Sequence, residues 1–262
     1  MRFACICFIL ISLAGCQKVI NVNLNNTSTK YVIVGKITDQ PGECQVYITR
    51  TKNFSEDNQF PGVSGATVTV ENNGIVTSLP ETGTGVYSTG SLTGKPGQTY
   101  ALTVHIGNET FSSISTMPQP VNLDSIYVKT GALSNKKYVT VVYKDPPGIA
   151  NYYHFIQYVN DHMEPTIFVS DDEFTDGRTV KSELNFSNDT NNSARDIKSG
   201  DSVRIEMICN DSAVYKYWYT LYNGATGASQ SASPSNPVSN ISGGVMGYFS
   251  AQTVQWKGIR VE

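Results

Sequence analysis

Thr99-Tyr100-Ala101-Leu102-Thr103-Val104-His105-Ile106, then Gly107-Asn108, then Thr110-Phe111-Ser112-Ser113-Ile114-Ser115-Thr116 is the stretch that decides the fold. Leu102, Val104 and Ile106 fall on one face of an extended chain, and Thr103 and His105 fall on the other. That period of two marks a half-buried antiparallel strand. Gly107 supplies the positive φ that a tight turn needs. The same texture continues upstream. Residues 31–38, 44–51, 66–71 and 86–88 are rich in Val, Ile, Thr and Tyr, and Asp39-Gln40-Pro41-Gly42, Asn72-Asn73-Gly74, Gly83-Thr84-Gly85 and Lys95-Pro96-Gly97 separate them. About seven short strands in about 90 residues predict an immunoglobulin-like or transthyretin-like β-sandwich over residues 31–118.

Met117-Pro118-Gln119-Pro120 interrupts the pattern, since neither proline can donate to a ladder, and it marks the expected boundary. A second β-rich domain is expected over residues 119–262, with strands at 123–130, 137–144, 151–159, 166–170, 179–186 and 202–209 and a C-terminal set at 245–261. One helix interrupts them. Asp211-Ser212 offers an N-cap, Tyr215, Trp218, Tyr219 and Tyr222 follow at i, i+3, i+4 and i+7, and Asn223-Gly224 ends the run. An aromatic stripe at this spacing is expected to pack against a sheet. Residues 224–240 are mostly Ser, Ala, Gly, Asn and Pro, and are expected to form a long exposed loop. The fold class is therefore mainly β, a sandwich followed by a second β-rich domain with one helix.

The N-terminus carries a different message. Arg2, an apolar run from Phe3 to Leu13 and the lipobox Leu13-Ala14-Gly15-Cys16 have the layout of a bacterial lipoprotein signal. The run is too short to span a bilayer as a mature helix. The expected chemistry is thioether diacylglycerol on the Cys16 thiol, cleavage before it, and acylation (palmitate or a similar chain) of the new amino terminus. Several chains anchor stably where one would not. Residues 1–15 are thus the signal peptide. Residues 16–30 are the lipidated cysteine and a polar, Asn- and Thr-rich tether, in which Ile20, Val22 and Leu24 could add a first strand.

Removing the signal leaves 262 less 15, or 247 residues, and 18 Lys and Arg (19 less Arg2) against 22 Asp and Glu, a net charge of −4. With no long basic block, nucleic acid is not an expected partner. Cys5 and Cys7 leave with the signal and Cys16 is acylated, so only Cys44 and Cys209 remain. Cys44 shares strand parity with Val46 and Ile48, and Cys209 with Val203, Ile205 and Met207. Two buried free thiols are favoured over a bridge, which stays an alternative.

The densest acidic group is Asp171-Asp172-Glu173-Phe174-Thr175-Asp176-Gly177-Arg178. Asp171, Asp172, Glu173 and Asp176 are the candidate metal ligands, because a hard cation such as calcium takes six to eight oxygens. The spacing departs from the fuller Asp-x-Asp-x-Asp-Gly-x5-Glu loop. A solvated turn with Asp176-Gly177 at its apex explains the same residues, and no cofactor other than calcium is indicated. His105, His154 and His162 lack zinc-ligand spacing. No Gly-x-Ser-x-Gly elbow, phosphate-binding loop or dinucleotide fingerprint occurs, so no catalytic residues are assigned and the chain is expected not to be an enzyme. Asp124-Ser125-Ile126, Asp201-Ser202-Val203 and Asp211-Ser212-Ala213 resemble an O-glycosylation acceptor pattern, but such triplets arise easily at strand starts and helix caps, and that structural reading is favoured.

In their order along the chain, several segments resemble the family of outer-membrane lipoproteins known as domain of unknown function 4249, found in Bacteroidota-type bacteria. They are Tyr31-Val32-Ile33-Val34-Gly35-Lys36-Ile37-Thr38-Asp39, Pro61-Gly62-Val63-Ser64-Gly65-Ala66-Thr67-Val68, the run from Gly94 to Val104, Leu123-Asp124-Ser125-Ile126, the acidic segment, and Asn240-Ile241-Ser242-Gly243-Gly244-Val245-Met246-Gly247-Tyr248-Phe249. The glycines of the last segment would let the backbone turn back into the sheet before Tyr248 and Phe249 pack. Members are often encoded beside TonB-dependent receptors. The resemblance therefore implies an outer-membrane, lipid-anchored, non-catalytic accessory of a TonB-dependent transporter in nutrient capture or delivery. Its partners would be the bilayer, through Cys16, and such a receptor. The segment after Cys16 does not distinguish the periplasmic from the cell-surface face. A structural or adhesive envelope lipoprotein is the alternative expectation, and a glycan-active enzyme the third.

Overall fold

The computed structural model describes residues 29–52, 59–131, 136–185, 196–225 and 235–262. Cys16, the tether with its candidate strand, and residues 226–234 of the small-residue loop lie outside the described residues. In chain order the strands are β1 (Tyr31–Thr38), β2 (Cys44–Arg50), β3 (Thr67–Asn72), β4 (Ile75–Leu79), β5 (Glu81–Gly83), β6 (Val86–Thr89), β7 (Thr99–Ile106) and β8 (Glu109–Thr116). Then come β9 (Leu123–Thr130), β10 (Lys137–Lys144), β11 (Tyr152–Val159), β12 (His162–Met163), β13 (Phe168–Asp171), β14 (Thr179–Leu184) and β15 (Ser202–Asn210). Helix α1 (Ser212–Ala225) and β16 (Met246–Arg260) follow.

The alternation in β7 is realised: Leu102 and Val104 are buried and His105 is exposed. β7 pairs with β8 across Gly107-Asn108, and β3 pairs with β4 across Asn73-Gly74. In that second hairpin both central residues have positive φ, 50° and 77°, as a two-residue turn matching the twist of its strands requires. β4, β5 and β12 lie in stretches too short or too polar to announce themselves in the sequence.

One sheet runs through the whole molecule in the order β12-β11-β15-β16-β1-β2-β6-β5, with β13 also on β11. The four-stranded sheet β4-β3-β7-β8 closes a first sandwich over it, with a core that includes Ile33, Val46, Tyr87, Leu102 and Phe249. The three-stranded sheet β14-β10-β9 closes a second, with Val141, Tyr143, Tyr153, Phe155 and Ile205 inside. The protein is thus mainly β, a sandwich followed by a second β-rich unit, with one helix among the described residues.

β16 joins the two. Residues 246–252 run parallel to β1, and residues 253–260 run antiparallel to β15 on the opposite edge. Each half therefore has one edge without a strand, and buried backbone groups there need other partners. Side chains supply them. The Asn240 amide accepts from Phe249 N–H (2.9 Å) and donates to its carbonyl (2.8 Å), Ser115 Oγ accepts from Ala251 N–H (2.9 Å), and Asp39 accepts from Val254 N–H (3.0 Å). Gly247 makes the parallel pairing possible. Its φ is 100°, and a Cβ there would lie 1.9 Å from the Ile33 carbonyl oxygen.

Asp211 caps α1 by accepting from Val214 N–H at 2.9 Å, so the third Asp-Ser triplet has a structural use. The aromatic stripe divides. Tyr215 packs against Tyr152, and Trp218 packs against His154 and Tyr248, whereas Tyr219 and Tyr222 are exposed. The cause is the helix's position on the outer face of the long sheet, where no second sheet covers its far side. Cys44 lies in the first core and Cys209 in the second, both free and buried. Burial pushes the Cys44 thiol up to about 12.

Candidate functional site

The acidic segment lies at one end of the second sandwich, where the connection after β10 meets the connection between β13 and β14. β10 delivers Asp145 just before Pro146-Pro147-Gly148, and the two prolines end the ladder there. The β10–β14 pairing extends one step further, because Asp145 N–H donates to the Arg178 carbonyl at 2.9 Å. β13 delivers Asp171, and the chain then makes a turn in which Thr175 and Asp176 both donate to the Asp172 carbonyl, at 2.8 and 3.0 Å. A turn closed between residues four apart places them on one side, so Asp172 and Asp176 converge while Glu173 points away.

Asp145, Asp172 and Asp176 come together, each offering a carboxylate oxygen within 4.8 Å of the others. Asp145 is fully buried, Asp172 is nearly so and Asp176 is exposed. Their hydrogen bonds come from neighbouring loops. Asp145 accepts from the Tyr153 hydroxyl and from Gly177 N–H (3.3 Å), Asp172 from Asn151 N–H (2.9 Å), and Asp176 from Gly148 N–H (2.7 Å). Burial raises the Asp145 carboxyl above its ordinary value; Tyr153 and Gly177 oppose this, and the Asp172 and Asp176 charges add to it. Burial, with the Asp145 contact second, likewise raises the Tyr153 hydroxyl. Among the described residues no Lys or Arg forms an ion pair with any of the three carboxylates.

Of the four candidate ligands from the sequence, the structure thus gathers Asp172 and Asp176 and leaves two apart. Asp171 accepts from the Tyr215 hydroxyl at 3.0 Å, tying β13 to α1, and Glu173 is exposed. Asp145 is the residue that reading the segment alone does not reach. Its signal is an acid placed immediately before Pro-Pro-Gly at a strand end.

His154 faces α1 rather than the carboxylates. It is buried, with its ring 4.4 Å from that of Trp218, and burial lowers it from 6.5 to about 4. Tyr219 and Tyr222, with Phe168, Ser170 and Ser182, line a groove between α1 and the β13–β14 region. Retaining and inverting glycosidases set two carboxyls about 5 to 9 Å apart across a sugar-sized cleft. Here three crowd more closely, and two are buried beneath their own loops.

No curated protein matches the chain. Among solved structures it is similar to the crystal structure of a protein from Bacteroides uniformis provisionally described as a carbohydrate binding protein, at 11% identity and a TM-score of 0.22. The alignment covers 88% of this chain and 98% of that one. A score that low does not establish a shared topology. The model of the family described as a domain of unknown function (DUF4249) matches residues 17–257, nearly everything that follows Cys16, and the chain belongs to that family.

Proposed function

We propose that the protein is a lipid-anchored outer-membrane lipoprotein that serves, without catalysis, as an accessory of a TonB-dependent transporter in capturing or delivering a nutrient. The observation that carries this reading is the lipobox Leu13-Ala14-Gly15-Cys16 followed by a polar tether that ends where β1 begins. An acylated Cys16 holds the first sandwich beside the bilayer. The sheet shared through β16 holds the second sandwich in fixed relation to the first, so its loops are presented at a set place. Loops on a rigid β scaffold are where binding contacts usually sit. The non-catalytic part of the reading is supported by the engagement of the three carboxylates with backbone amides of the neighbouring loop.

The test is to recover the lipidated protein from native outer membranes in mild detergent and to identify what stays bound by mass spectrometry. A TonB-dependent receptor at near one-to-one stoichiometry is expected, together with loss of acyl labelling and of membrane association in Cys16→Ser. Recovery of the protein alone, or with surface-fibre components, would replace the transport reading with a structural or adhesive one.

A further inference from the structure

We propose that Asp145, Asp172 and Asp176, together with the side-chain carbonyl of Asn151, bind one divalent cation of calcium's size. Three carboxylates within 4.8 Å do not by themselves make a site. The second observation is Asn151. It is only 6% exposed, and its Oδ1 is buried with no hydrogen-bond donor. A buried acceptor left unpaired costs about 1–3 kcal/mol, so it calls for a partner. Its direction follows from the strand. Asn151 immediately precedes β11 and, like Tyr153 two residues on, is buried where Tyr152 between them is not, so the two side chains share the inward side, the one on which the Tyr153 hydroxyl meets Asp145. The backbone N–H of Asn151 already holds Asp172 at 2.9 Å. An unpaired carbonyl oxygen beside converging carboxylates is short of a positive charge, not of another acceptor.

The donor chemistry selects the cation. Every group is an oxygen, which suits a hard ion, and His154 faces the opposite side of β11. Asp172 and Asp176 each keep an oxygen with no donor among the described residues, since their hydrogen bonds use Asp172 Oδ2 and Asp176 Oδ1. One oxygen from each of three carboxylates and one amide carbonyl, with water completing the shell, fit the irregular six to eight ligands that calcium accepts better than the strict octahedron of magnesium. Bound there, the ion would tie the 145–151 connection to the 171–178 connection. Ile149 and Phe174 stand exposed on these, Phe174 at 78%.

The experiment uses the full lipidated protein in detergent, stripped with a chelator, and terbium(III) as the probe, with Tyr153 placed to sensitise its luminescence. We expect one saturable site per chain. Calcium should displace terbium at submillimolar to millimolar concentration, and magnesium should need at least about tenfold more. Asp172→Asn should weaken binding about tenfold or more. Because a buried substitution can impair folding, Asp176→Asn, at the exposed carboxylate, is the second variant, with circular dichroism as the check on fold. Calcium should also slow chymotrypsin cleavage after Phe174 several-fold in the native protein. Absence of saturable terbium luminescence, or binding that survives both substitutions, would overturn the proposal.

Discussion

The buried polar side chains of strands β1 to β8 are hydroxyls, those of Thr38, Ser113 and Ser115. The second sandwich buries Asp145, Asp172, Glu164, His154 and Gln157. A hydroxyl rotates to satisfy itself with whatever carbonyl is near. A buried carboxylate or imidazole must either find a specific partner or change its protonation. The two units share one sheet and similar aliphatic cores, so this difference is not imposed by the fold. It places the buried carboxylates and the buried imidazole, with the stability cost that they carry, in the second unit.

The largest effect should come from breaking the strand that the two units share. In Gly247→Ala the new Cβ would fall 1.9 Å from the Ile33 carbonyl oxygen, at a φ of 100° that L-residues rarely adopt. Neither obstacle is a flexible side chain, so β1 and β16 must separate. We expect a loss above about 4 kcal/mol, or failure to fold. Gly244→Ala, with positive φ but open space around it, should cost about 1 kcal/mol. Denaturant unfolding followed by tryptophan fluorescence checks both, since Trp218 and Trp256 lie on the second-unit side. If Gly247→Ala leaves that signal unmoved, the shared sheet does not couple the units.

That joint was the part of the fold least legible in the sequence. The alternation of Leu102, Val104 and Ile106 and the Asn73-Gly74 turn are local, and local patterns report local structure. The pairing of Val32 with Met246 joins residues more than two hundred positions apart, and no period or turn announces it. The glycines of residues 243–247 pointed to a backbone turning back into a sheet, without saying which strand it would meet. The site was legible in the same uneven way. The acidic run pointed to the right loop, but adjacency in sequence gathers Asp171 and Glu173, which a turn closed on the Asp172 carbonyl sends elsewhere. Asp145 reaches the cluster through sheet pairing, which composition does not encode.

The next effect isolates the second unit. His154 is lowered by burial from 6.5 to about 4, so the folded protein holds it neutral where the unfolded chain would protonate it. Its contribution is fully present above pH 6.5, falls as the pH drops below that, and is lost once the pH has passed through about 4. The span corresponds to about 3 kcal/mol. The raised Asp145 carboxyl acts in the opposite sense, so the measurement is a difference: the pH dependence of unfolding free energy in the wild type less that in His154→Phe. A difference that stays flat from pH 7 to 4 would show that the ring over Trp218 is not desolvated.

The smallest of the three effects falls on the contact between the units. Asp211 Oδ1 caps α1 through Val214 N–H, while Oδ2 accepts from the Ser115 hydroxyl at 2.5 Å and from Thr116 N–H at 3.2 Å. Ser115 in turn accepts from Ala251 N–H on β16, so one carboxylate ties the helix of the second unit to a cover strand of the first. Asp211→Ala removes a cap worth about 1 kcal/mol and leaves the buried Ser115 hydroxyl without its acceptor, for a total of about 2 kcal/mol. Asp211→Ser should recover about half, because it restores the cap but is too short to reach Ser115 as well. Asp211→Ser as stable as the wild type in a denaturant titration would mean that the bond between the units contributes nothing, and the first sandwich would then be held to the second through β16.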